Sequence, residues 1–369
     1  MKVLFFWGGP GNMDPQFGNP YARLLAEALA QHGVTMAVAG SLNLWRYVFR
    51  SDIQALHFNW IAPHYAADSL PKALLQFVSF VAALLVAYLR GYRIVWTMHN
   101  LYPHEMAFPW IDRVIRLLTC RLAHAVIAHC QHAATLLAQH FGRTHCVHII
   151  PHGEFITPYR NTISPEQARE SLGLSPEDFV YLFVGNIRAY KGVAPLIDTF
   201  TTLEAEDARL LVAGRIHRSY QGGLPASATE DSRVVLKARA YEESIPADDM
   251  QIYLNASDVV VLPFLDTLTS GSAILSLGFG RPVIAPAVGC LPELLRGYGC
   301  GIVYEPHGQH GLKHALQLAR TLDIPRAGQR ARQRAESLSW DSIARLTLAA
   351  YGITQSGPTP NPLPQGKGL

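Results

Sequence analysis

The order of the apolar runs constrains this chain more than any other feature. Short β-rich segments at residues 3–7, 36–39, 55–58, 94–98, 125–128 and 147–150 are separated by helix-length stretches such as 21–32 and 110–122. The pattern then repeats, with strand-like runs at 180–184, 209–213, 234–237, 259–262 and 283–285. Apolar runs without polar alternation, each followed by a helical stretch, belong to parallel sheets, whose strands are buried on both faces and joined by crossover helices. The expected fold class is therefore α/β, two Rossmann-like domains each with a doubly wound parallel sheet.

With 369 residues the chain exceeds one ordinary core, and its 49% hydrophobic content fills two. Residues 1–155 and 166–338 are the expected domains, joined through 153–165, where Gly153, Pro158, Asn161 and Pro165 are turn formers. Residues 339–355 are expected as a helix returning toward the first domain, and the Gly/Pro-rich 356–369 as a disordered tail. A net charge of +3 lacks the concentrated basic character of a nucleic-acid binder. It is compatible with anionic small molecules or an anionic membrane surface. Five widely spaced cysteines without a C-x-x-C pair read as free thiols, and no H-E-x-x-H pattern suggests a metal. The first apolar run passes within a few residues into Gly8-Gly-Pro-Gly11, which makes it a strand and not a signal peptide.

Residues 73–89 are apolar on nearly every face and flanked by Lys72 and Arg90. Their position just before a strand calls for a crossover helix, in the core or dipping into an interface, rather than a membrane span. Residues 110–122 set Arg113, Arg116 and Arg121 beside Trp110, Ile111, Ile115 and Leu118, a combination suited to anionic lipid.

Two motifs carry the chemistry of an anion site. Strand 180–184 ends in Gly185, followed by Arg188 and Lys191, cations placed to converge on a phosphate beyond a strand's carboxyl end. Strand 259–262 leads to Thr269-Ser-Gly-Ser272, where Thr269, Ser270 and Ser272 are good helix caps and Gly271 admits a ligand close to the backbone N–H groups. In the first half, Gly8-Gly-Pro-Gly11-Asn12 lacks the G-x-G-x-x-G pattern of nicotinamide binders. Strand 94–98 delivers His99, with His104 and Glu105 shortly after, a histidine–carboxylate set capable of acid–base work. His124, His129, His132, His145 and His148 read as structural.

The spacing from Leu262 through Ser272 and Gly280-Arg-Pro-Val-Ile-Ala285 to Glu293 resembles the donor-sugar site of GT-B glycosyltransferases, especially family 4. Gly185 to Lys191-Gly192 is similar to that family's G-x-x-x-x-x-K-G element. The phrase Thr97-Met-His-Asn-Leu-Tyr-Pro-His-Glu105 is similar to bacterial exopolysaccharide and glycolipid glycosyltransferases, including GDP-mannose-dependent β-mannosyltransferases. The resemblance implies two domains facing an interdomain cleft, a nucleotide-diphospho sugar donor and a lipid-linked or oligosaccharide acceptor. It assigns donor contacts to Arg188, Lys191, Thr269, Ser270, Gly271, Ser272 and Glu293, with Gly11 in a loop near donor and acceptor, and sets His99 near the transferred sugar. Asp14, His99, His104 and Glu105 are the candidates for a catalytic base if the reaction inverts. No cofactor or metal is expected, no nucleic acid, and the expected location is cytoplasmic, peripheral to the inner membrane surface. The family's two donor-site glutamates fall here at Thr267 and Leu275, so their roles do not carry over. A nucleotide-sugar epimerase of the same fold and a non-catalytic partner subunit are the alternatives.

Overall fold

The computed structural model describes residues 1–7, 19–103, 107–220, 222–239, 245–308 and 311–353. The chain divides into two compact units: Met1–Gly153 completed by residues 339–353, and the residues from Glu154 to Leu338.

The first unit holds β1 (Lys2–Phe6), β2 (Thr35–Val38), β3 (Ala55–Phe58), β4 (Arg93–Met98), β5 (Ala125–Ala128) and β6 (Val147–Ile149). Their order is β2-β1-β3-β4-β5-β6, with every neighbouring pair parallel. The crossovers include α1 (Tyr21–Ala30), α2 (Leu70–Leu89), α3 (Pro109–Leu122) and α4 (Gln131–Phe141). Every residue of β3 and β5 is buried, as strands covered by helices on both faces must be. The chain leaves β1 for β2 on one side and returns to β3 on the other, so the winding reverses between β1 and β3.

Helix α2 starts earlier than its apolar run suggests, at Leu70, because Pro71 is tolerated in a first helical turn. Ala73, Phe80, Ala83, Leu84 and Ala87 face the core, while Leu75, Val78, Leu85 and Leu89 line the opposite, exposed face. It is therefore a crossover helix with a second apolar face left to solvent.

The second unit opens with α5 (Pro165–Leu172), whose Ser164 and Gln167 form a capping box. Its strands are β7 (Phe179–Val184), β8 (Ala208–Arg215), β9 (Val234–Arg239), β10 (Val259–Val261), β11 (Val283–Pro286) and β12 (Gly301–Tyr304), ordered β12-β11-β10-β7-β8-β9 and all parallel. Between and after them run α6 (Val193–Thr201), α7 (Ser227–Glu230), α8 (Met250–Ala256), α9 (Gly271–Gly278), α10 (Leu291–Leu295), α11 (Leu312–Ala319) and α12 (Ile324–Glu336). The sequence reading missed β12. It is an edge strand starting at Gly301, where a Cβ would overlap the Val283 carbonyl oxygen of β11, so close pairing requires the residue that made it look like a loop. The winding here reverses between β7 and β10.

The last helix, α13 (Trp340–Ala350), is capped by Ser339 and packs on α1 of the first unit. Residues 356–369, expected as a tail, lie outside the described residues. The free-thiol expectation holds for Cys120, Cys146 and Cys300.

Candidate functional site

Open α/β sheets bind ligands beyond their strand carboxyl ends, at the point where the winding reverses. In the second unit that point lies between the ends of β7 and β10, and the two anion motifs occupy it. After β7 the backbone passes Gly185 and forms a 3-10 turn over Ala189–Lys191. Gly192 then opens α6 at φ 66°, and a Cβ there would overlap the Pro263 carbonyl oxygen. The Lys191 loop is thereby held against the segment following β10, and Leu265 N donates to Tyr190 O at 2.8 Å. Lys191 Nζ sits 4.7 Å from the centroid of the Phe264 ring.

The second motif comes from the same side. Ser270 caps α9, its hydroxyl accepting from Ala273 N at 3.1 Å, so Gly271 and Ser272 occupy the first turn. A Cβ placed on Gly185 would lie 3.4 Å from Ser272 Oγ and 3.6 Å from Lys191 Nζ. The bare glycine, the hydroxyl and the ammonium thus border one spot. Burial, and then the nearby Arg188 charge, push the Lys191 pKa down from 10.5 to about 8. A cation held at that cost is relieved by an anionic partner.

The end of β8 supplies partners the motif reading did not include, Arg215 and His217. Arg215 donates from Nε to Asn186 Oδ1 at 2.9 Å, and Arg188 Nη2 lies 2.7 Å from His217 Nε2. Glu293 is exposed on the short α10, which follows Cys290, whose N–H donates to Leu268 O at 2.8 Å. The helix bearing Glu293 is therefore tied to the turn preceding Ser270. Thr267 is buried and donates to the Thr269 carbonyl at 2.9 Å, and Leu275 is buried in α9. Neither offers an acid, and both are fully used in holding the turn and packing the helix.

In the first unit, His99 stands at the end of β4 and is 4% exposed. Its Nε2 lies 2.9 Å from Asn59 Oδ1, which follows β3, and its Nδ1 lies 3.2 Å from His129 Nε2. His129 Nδ1 donates to the Ile150 carbonyl at 2.8 Å. Trp60 stacks on the His99 ring with centroids 5.0 Å apart. Burial, followed by the neighbouring His129, His152 and His57, holds the His99 pKa well below 6.5, and burial lowers His129 to about 4. Two neutral rings carry two N–H groups for three contacts. Either Asn59 turns its amide nitrogen to His99, or the chain holds one extra proton, with the amide oxygen and the Ile150 carbonyl as terminal acceptors. His129, read as structural, is therefore a direct partner of a candidate base. Gly11, Asp14, His104 and Glu105 lie outside the described residues.

Residues 178–319 match the model of the family described as glycosyl transferases group 1. Over 346 residues the chain is 27% identical to the GDP-mannose:glycolipid 4-beta-D-mannosyltransferase of Xanthomonas campestris pv. campestris, covering 90% of this chain and 88% of that one. It is 28% identical over 249 residues to the D-inositol 3-phosphate glycosyltransferase of Streptomyces bingchenggensis, an alignment spanning 64% of this chain and only 54% of that protein. Among solved structures, Anabaena HepE in complex with UDP superposes with a TM-score of 0.72 at 18% identity, over 95% of this chain and all of that one. WaaG, a glycosyltransferase of lipopolysaccharide biosynthesis, superposes with a TM-score of 0.63 at 17% identity, over 96% of this chain and 100% of that one.

Proposed function

We propose that the chain, whose residues 178–319 match glycosyl transferases group 1 and whose fold is that of GT-B glycosyltransferases, moves a hexose from a nucleoside-diphosphate sugar to a glycolipid acceptor at an anionic membrane surface. The observation that carries the donor half is the convergence of Lys191 Nζ, Ser272 Oγ and the first turn of α9 beside Gly185. As the glycosidic C–O bond of the donor breaks, negative charge grows on the leaving diphosphate. A partly desolvated ammonium, a guanidinium and a helix N-terminus stabilise that charge more than the ground state, which is the catalytic requirement. These groups supply the work a divalent cation does elsewhere, so the reading needs no metal. The neighbours whose names include UDP and GDP-mannose support a nucleotide-sugar donor. If the reaction inverts, His99 serves as base only once Asn59 releases its Nε2, since its other ring nitrogen faces His129.

Incubating the protein and bacterial membranes with labelled UDP-, GDP- and dTDP-hexoses tests the proposal. Label in a lipid extract is expected with one donor class. Donor consumption yielding only free sugar or an epimer would refute the transfer reading.

The free Lys191 value also gives a pH signature. Between pH 8 and 10.5 the folded chain binds fewer protons at this group than the unfolded chain does, so folding stability rises with pH there. Diphosphate binding has the opposite slope, because it needs the ammonium. UDP and GDP affinity measured by calorimetry is expected to fall as pH rises through about 8, and the fall to vanish in Lys191→Met. A wild-type slope retained in that variant would remove Lys191 from the site.

The acceptor half rests on the exposed face of α2. Leu75 is 71% and Leu89 81% exposed, in line with Val78 and Leu85, and the packed neighbour α3 exposes Trp110 and Val114 beside Arg113 and Arg121. An apolar stripe with a tryptophan and flanking cations suits a helix lying in the plane of an anionic bilayer surface. Cosedimentation with phosphatidylglycerol vesicles is expected for the wild type and lost in Val78→Glu/Leu85→Glu, with UDP and GDP binding unchanged. Equal sedimentation of the two proteins would rule this face out.

A further inference from the structure

The β8 end places a buried histidine against the cation that the donor reading uses. We propose that His217 is a positioning residue for Arg188, holding its guanidinium in the orientation that receives the donor diphosphate. This rests on the phosphate role proposed above for Arg188.

The geometry comes from the sheet. Beyond β7 and β8 the two chains remain paired by a parallel bridge between Ile187 and Ile216. Ile187 N donates to Arg215 O at 2.8 Å, and His217 N donates to Ile187 O at 3.0 Å. Arg188 and His217 each follow one member of that bridged pair, and on adjacent strands such positions share a face. Their side chains meet there, Arg188 Nη2 to His217 Nε2 at 2.7 Å. A guanidinium can only donate, so His217 Nε2 is the acceptor and the neutral ring carries its proton on Nδ1. Ser219 Oγ lies 2.8 Å from that nitrogen and accepts from it, while the Ser219 backbone N–H faces the same nitrogen at the longer distance of 3.2 Å. His217 is 9% exposed, so the ring is fixed by its surroundings as well as by its bonds.

The consequence is orientation. Arg188 is a long side chain near a second cation, Lys191, and the bond to His217 gives it a fixed acceptor that opposes their repulsion. His217 is a neutral acceptor, so it holds one edge of the guanidinium and adds no charge of its own. A carboxylate in the place of His217 would compete with the phosphate. Preorganisation of this kind acts on the diphosphate and not on the nucleoside, since only the former meets Arg188.

The test compares His217→Gln, which keeps a neutral carbonyl acceptor, with His217→Phe, which keeps the bulk and removes the acceptor. Calorimetry with UDP and GDP, and separately with uridine and guanosine, is run alongside thermal unfolding. Diphosphate affinity is expected to fall roughly tenfold in His217→Phe and less than about threefold in His217→Gln, with nucleoside affinity unchanged in both. Unchanged diphosphate affinity in His217→Phe, while Arg188→Ala loses it, overturns the inference alone. Equal losses for nucleoside and diphosphate overturn it too, because they indicate a structural role. Wild-type diphosphate affinity in Arg188→Ala removes the phosphate assignment itself, and this inference with it.

Discussion

Lys191→Ala is expected to lower hexose transfer by about two to three orders of magnitude in kcat/KM while leaving the fold intact, the size of effect seen when one preorganised donor to a developing anion is removed. The ammonium is held between the Phe264 ring, the Ser272 hydroxyl and the repelling Arg188, and burial has already stripped part of its water. Its attraction to a diphosphate is therefore screened less than that of a surface lysine. Lys191→Arg should not restore the rate, since a planar fork needs more width than a spot bordered by Gly185 and Ser272 provides. Arg188→Ala is expected to cost less, about one to two orders, because Lys191 and the α9 N-terminus remain. The measurement is initial rate against donor concentration with whichever sugar nucleotide labels the lipid extract, alongside unfolding temperature. A Lys191→Ala protein that folds and transfers at the wild-type rate would end the donor assignment.

The second large effect falls on stability. Gly214→Ala should destabilise the second unit by roughly 3 kcal/mol or more, because an overpacked, well-fixed position cannot relax. Gly214 lies in β8 directly against Gly185 at the end of β7, and a Cβ on it would overlap the Gly185 carbonyl oxygen. The neighbour is backbone, fixed by Gly185 N donating to Ala213 O at 3.0 Å, so it cannot yield as a flexible side chain would. Gly222→Ala is the control, since no atom of the described residues lies within 4 Å of its added Cβ. It is expected to stay within about 0.5 kcal/mol of wild type. Urea unfolding followed by fluorescence distinguishes the two, and equal midpoints would show that the strands can part at this point without cost.

Both effects converge on the β7 and β8 ends, which were unequally legible. Gly185, Arg188, Lys191 and Ser270 declare themselves because a strand end with a cation pair, and a helix cap, are each signals contained within a few residues of sequence. His217 and Arg215 carry no such signal. They reach Arg188 and Asn186 across 29 residues of sequence, and only the parallel pairing of β7 with β8 brings them together. His129 is the same case in the first unit. It lies 30 residues from His99, in a chain with sixteen histidines, and only the pairing of β4 with β5 makes it a partner.

The sequence by itself determined the layer architecture, because runs apolar on both faces with helices between them admit parallel sheets and little else. Among the described residues, eleven of the twelve strands follow from it; β12 does not, since its glycine start serves close pairing and looks like a break. The apolar run of α2 was equally plain, but its division into a buried face and an exposed face required knowing which side the sheet lies on. Tertiary structure alone decided the partners of the polar groups: Ser219 and His217 behind Arg188, Asn59 and His129 around His99. The physical reason is common to all of them. Hydrophobic periodicity is written along the chain, whereas the hydrogen bonds of buried polar side chains are made across it, between strands whose order no local pattern specifies.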